Sequence, residues 1–134
     1  MTTIGSAGGT EPFSKSFDEG KVRKALMTAW SLETAVQWTP ENPASGQCNV
    51  TAAVVNDLFG GDILRTDLDG VWHYYNRIDG QAVDLTDSQF TAPGARFTAP
   101  ERYQDEVTTH AAAMSGIPQR EYDTLRGALT KALE

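Results

Sequence analysis

The chain has one cysteine and two histidines in 134 residues, so few of its side chains can form or break covalent bonds. Cys48 lies in Gly46-Gln47-Cys48-Asn49-Val50-Thr51-Ala52-Ala53, where a polar loop runs into an apolar helical pattern. The thiol is therefore expected in the first turn of a helix. Unpaired amides and the positive end of the helix dipole favour a thiolate there and can cradle a developing oxyanion. Downstream stand His73 and Asp84, the residue types a thiol nucleophile needs as general base and as the group that fixes the base's tautomer. The chemistry this predicts is acyl transfer. Cys48 attacks an amide or ester carbonyl, His73 takes the thiol proton and later protonates the leaving group, and Asp84 orients the ring. The Cys48 amide, helped by Gln47 or a tryptophan N–H, is expected to hold the oxyanion. Each residue alone also fits a packing role, since a lone cysteine is commonly a small core residue. Their order along the chain is what points to a triad.

The elements that must position these residues are legible. From Cys48 to Leu58, Val50, Ala53, Val54 and Leu58 form a stripe that Ala52 and Val55 widen, so this helix is expected to be central, with Gly60-Gly61 as its C-terminal cap. Strands are predicted over 62–68, 71–78 and 81–85, joined by Asp69-Gly70 and Asp79-Gly80 as an antiparallel meander packed on the cysteine helix. A two-residue turn at Asp79-Gly80 sets Ile78 opposite Gln81 and Tyr75 opposite Asp84. His73, Tyr75 and Asp84 then share one side of the sheet, with His73 and Asp84 as diagonal neighbours. Asn76 and Asp87 have the wrong parity, and a three-residue loop would reverse the choice.

Around this unit, residues 1–15 read as a flexible arm and 16–134 as a single domain. Ser16-Phe17-Asp18-Glu19 fits a capping box opening a helix of roughly 17–31, with Val22, Leu26, Ala29 and Trp30 on its apolar face. The proline-broken loop from Glu33 to Gln47 is a candidate cleft wall. Its Trp38 is either an aromatic surface for substrate or a plug in the core. Thr86 should cap a short helical turn, residues 101–115 read as helix or loop, and Pro118 opens a last helix whose buried stripe includes Tyr122, Leu125 and Leu129. His110 reads as a surface residue.

A net charge of −7 argues against nucleic acid or anionic membrane as partner. The N-terminus lacks the pattern of a secretion signal, no apolar run is long enough to span a bilayer, and one cysteine cannot form an intrachain disulfide; the expected compartment is the cytoplasm. One cysteine and two distant histidines do not match a metal-ligand spacing, so neither metal nor other cofactor is expected. The expected partner is a small-molecule or peptide acyl substrate, with an amine as an alternative to water as acceptor.

Trp38-Thr39-Pro40-Glu41-Asn42-Pro43, Gly46-Gln47-Cys48, Phe59-Gly60-Gly61, His73-Tyr74-Tyr75-Asn76 and Asp84-Leu85-Thr86 with Gln89-Phe90 together resemble the YunG-like family of small bacterial proteins, over roughly residues 20–132. The order of cysteine helix, histidine strand and aspartate strand also resembles the core of papain-like and transglutaminase-like thiol enzymes. That likeness implies an α+β domain with a small antiparallel sheet of three or more strands packed on the helix that carries Cys48. Papain-like enzymes place an oxyanion glutamine several residues before the nucleophile. Here Asn42 stands six positions before Cys48 and Gln47 is adjacent to it. Aligning Gly46-Gln47-Cys48 on the similar run that precedes the papain nucleophile would instead put Thr51 at the nucleophile position. The alternative to an enzyme is a catalytically silent module that holds a peptide or small molecule in a cleft lined by Trp38, Trp72 and Tyr75.

Overall fold

A computed structural model describes residues 16–134, and the arm expected over residues 1–15 lies outside them. The first helix, α1, spans Glu19–Ala29 and is shorter than 17–31, because Asp18 rather than Ser16 caps it by accepting from the Lys21 amide at 3.1 Å. Asp18 has an amide three residues on, as the capping geometry needs. Ser16 is exposed, while Phe17 packs edge-on against Phe59 with ring centroids 5.3 Å apart. Val22, Ala25, Leu26 and Ala29 form the buried face of α1.

The second helix, α2 (Cys48–Phe59), is apolar nearly all round and is central, as expected. Its Val50, Val54, Val55 and Leu58 join Leu26 of α1 and Leu125 and Leu129 of the last helix in one core. Each such side chain contributes about 1.5–3 kcal/mol by leaving water. The Trp30 indole N–H, just past α1, donates to Thr51 Oγ1 of α2 at 2.9 Å and fixes how the two helices meet. Gly60 ends α2 at φ 82° and returns its N–H to Asn56 O.

Three strands follow, β1 (Asp62–Leu68), β2 (Val71–Ile78) and β3 (Gln81–Val83). They pair as the antiparallel meander read from the sequence, with Ile78 opposite Gln81 and Asn76 opposite Val83, but the third strand ends at Val83 rather than Leu85, so Tyr75 and Asp84 are not a strand pair. The segment expected as helix or loop over 101–115 contributes a fourth strand, β4 (Glu106–Thr108), on the free edge of β1. Three residues are too few for periodicity to reveal them. The sheet order is therefore β3-β2-β1-β4. A single helical turn, α3 (His110–Ala113), follows, with Thr109 as its cap. The last helix, α4, spans Gln119–Ala132, and Pro118 stands just before it, one position earlier than expected. The described residues are thus α+β, with a four-stranded antiparallel sheet and four α-helices. No helix among the described residues is long and apolar enough to cross a membrane.

Candidate functional site

Cys48 is the first residue of α2 and is half-buried. The chain reaches it through Gly46, whose φ of 73° is open to glycine at little cost. No side chain caps α2. The first-turn amides are thus left to solvent or to a group in the cleft. The sulfur touches Asn49 Oδ1 at 3.4 Å, a long contact for a weak donor. Asn49 is itself held by a bond from its Nδ2 to Ala113 O at 2.8 Å.

His73 sits on β2 and is 3% exposed. Its Nε2 lies 2.7 Å from Asp84 Oδ2, the pairing that the turn parity selected. With Nε2 engaged, Nδ1 is the nitrogen left for Cys48. Phe90 meets the ring edge-on at 5.2 Å between centroids, and Tyr75 stacks beside it at 6.1 Å. Burial disfavours a charged imidazole here. The bond to Asp84 and the contact with Cys48 outweigh it, so His73 is pushed up to about 10 from an ordinary value of 6.5.

Asp84 is the anchor. Its Oδ2 also accepts from the Tyr103 hydroxyl at 2.7 Å, and its Oδ1 accepts from the Thr86 amide and hydroxyl, both at 3.2 Å. Thr86 does not cap the following turn of helix (Asp87–Phe90) with its side chain, contrary to expectation, because its hydroxyl serves Asp84 and Gln89. The residues of opposite parity are engaged elsewhere. Asn76 donates to Ala52 O at 3.0 Å, and Asp87 pairs with Arg23 at 2.9 Å.

The remaining expected site residues divide. Trp72 lines a cleft of about 490 Å³ together with Cys48 and His73, and the Arg65 guanidinium lies 4.0 Å over its ring. Gln47 does not face that cleft. Its side chain is fully buried, with Oε1 accepting from Thr34 Oγ1 at 2.9 Å and Nε2 without a partner, and it is not among the residues that line the cleft. Asn42 is likewise buried, donating to Gln89 O at 3.1 Å. Trp38 packs against the core, as the plug rather than the cleft wall. Tyr75 borders a separate pocket behind Asp84, where its hydroxyl donates to Asp105 Oδ1 at 2.7 Å. The placements of Gln47, Asn42 and Trp38 have one cause: the loop from Glu33 to Gln47 carries no periodicity to say which way a side chain turns. Burial and Asp105 raise the Tyr75 hydroxyl above its ordinary value, and burial with the Asp84 charge does the same for Tyr103.

Tyr103 was invisible in the sequence because it lies in an irregular run. Thr86 had a signal: Asp-x-Thr is the spacing of an aspartate that bonds the amide two residues on. His110 is exposed, as expected, and pairs with Asp57 at 3.2 Å.

A half-buried thiol at a helix start, beside a histidine clamped by a buried carboxylate, defines an α+β domain with a thiol–imidazole–carboxylate cluster. The chain belongs to the YunG family, since the YunG protein family matches residues 18–134. It is similar to "Uncharacterized protein YunG" of Bacillus subtilis (strain 168), at 37% identity over 110 residues that cover 82% of this chain and 90% of that protein. No solved structure matches it.

Proposed function

We propose that Cys48, His73 and Asp84 carry out acyl transfer through a thioester on Cys48. The observation that carries this reading is the buried His73 ring, bound to Asp84 Oδ2 at 2.7 Å and lining the same cleft as Cys48; that carboxylate and the sulfur push the imidazole up to about 10 against the effect of burial. In the proposed sequence the proton on His73 Nδ1 is the one given up by Cys48 before substrate arrives, so the sulfur attacks the acyl carbon directly and the imidazolium keeps that proton for the leaving group. The uncapped first turn of α2 offers its amides to the oxyanion. The leaving group then departs with the proton from His73. In the second half His73 deprotonates water or an amine, which attacks the thioester and releases the thiol.

The order of thiol on a helix, imidazole on a strand and carboxylate after the next strand supports a papain-like or transglutaminase-like core. The buried positions of Gln47 and Asn42 leave the oxyanion to backbone amides. A silent binding module would have the same cleft without the covalent step. Incubation with 4-nitrophenyl acetate or a small thioester, followed by intact mass and peptide mapping, separates the two. One acyl group on Cys48 is expected, with the adduct and turnover lost in Cys48→Ala. Absence of any adduct, or undiminished turnover by folded Cys48→Ala, would contradict the proposal.

A further inference from the structure

Glu121 is only 8% exposed, yet it lines the same cleft as Cys48 and His73. It lies in the first turn of α4, where its backbone N–H donates to Pro118 O at 3.0 Å. Among the described residues no cation pairs with its carboxylate. Nor is the group sealed in: the occluded side-chain atoms without a partner are Trp38 Nε1, Asn42 Oδ1 and Gln47 Nε2. A carboxylate this deep without a partner is unfavourable, and the positive end of α4 offsets only part of the cost. Its complement is a cation that enters the cleft.

The rest of the cleft says what else such a ligand carries. Val36, Val71 and Trp72 are exposed apolar residues that border it. Arg96 and Arg120 also line it, but both are exposed to water and neither pairs with Glu121. The net charge of −7 draws cations toward the molecule as a whole.

We infer that the cleft binds a small amphiphile whose protonated amine sits on Glu121 and whose apolar group lies against Val36, Val71 and Trp72. An α-amino amide or ester with an apolar side chain combines amine, apolar group and acyl carbon in one compound. The fate of that acyl carbon rests on the acyl-transfer reading, whereas the binding does not.

Calorimetric titration of the protein with leucinamide and with its uncharged counterpart 4-methylpentanamide tests the inference. Leucinamide should bind about tenfold or more tightly than the neutral amide. Glu121→Gln should erase that preference without lowering Tm, since it removes a buried charge, and Glu121→Asp should keep it. Cys48→Ala should still bind leucinamide, so a failure of the covalent chemistry and a failure of the subsite give different results. Equal affinity for the two amides, no binding of leucinamide, or a preference that survives Glu121→Gln would overturn the inference.

Discussion

Asp84 accepts four hydrogen bonds, from His73 Nε2, the Tyr103 hydroxyl, and the amide and hydroxyl of Thr86. A carboxylate has about four such acceptor sites, so this one is fully committed and its orientation is over-determined. Tyr103 and His73 share Oδ2, which makes Tyr103 the neighbour whose loss the imidazole should feel first. Tyr103→Phe is expected to lower unfolding free energy by about 1.5–3 kcal/mol, the net worth of a hydrogen bond to a charged group. It should also slow acylation of Cys48 several-fold while leaving the fold intact; denaturant titration and burst kinetics check the two effects. A variant with wild-type values in both would show that Phe90 and Thr86 suffice to hold the pair. At this scale the sequence yielded Cys48, His73 and Asp84 because the first two lie on regular elements and a tight turn brings the chain back to Asp84, one residue past β3. It was silent on Gln47, Asn42 and Trp38, whose directions depend on a loop folded against the rest of the chain.

Among the elements, the β2–β3 turn has the largest effect on the site. Asp79 and Gly80 both adopt positive φ, at 52° and 79°, as a type I′ turn requires. The pairing they impose ends at Asn76 opposite Val83, and Asp84, the next residue, reaches His73 Nε2 at 2.7 Å. Side chains alternate along a strand, so one extra residue in the turn would send Asp84 to the other side. Insertion of one glycine between Gly80 and Gln81 should leave the circular dichroism spectrum near that of the parent but uncouple His73 from Asp84. Acylation of Cys48 would then fall to the level of Asp84→Asn. Retention of the parental rate would mean that the carboxylate does not act through its register. Both hairpin turns, the α2 cap and the last helix were legible because glycine, aspartate and proline mark them directly. The strand Glu106–Thr108 was not, since its pairing with Ile63, Leu64 and Arg65 is a long-range event.

For the whole molecule, the buried His73–Asp84 pair links stability to pH. His73 titrates near 10 when folded against 6.5 for an ordinary histidine. The folded state therefore binds the proton more tightly, and its contribution is complete below about 6.5 and is lost as pH rises through about 10. Stability measured by denaturant at constant ionic strength should fall by a few kcal/mol between those values. Asp84→Asn should flatten the slope, and an equal slope in that variant would place its origin elsewhere. The central position of α2 was readable from its apolar circumference. The cleft was not, because its walls come from the loop after Ser31, the β1–β2 hairpin, the Arg96-Phe97 segment and the start of α4.

The most direct measurement is the second-order rate of Cys48 alkylation by iodoacetamide at pH 6, in the parent, His73→Gln and Asp84→Asn. A sulfur paired with a protonated imidazole should react about tenfold or more faster than free cysteine at that pH, and both variants should lose most of the advantage. A parental rate no greater than that of free cysteine, or one unchanged by removing the imidazole, would contradict a thiol activated by His73.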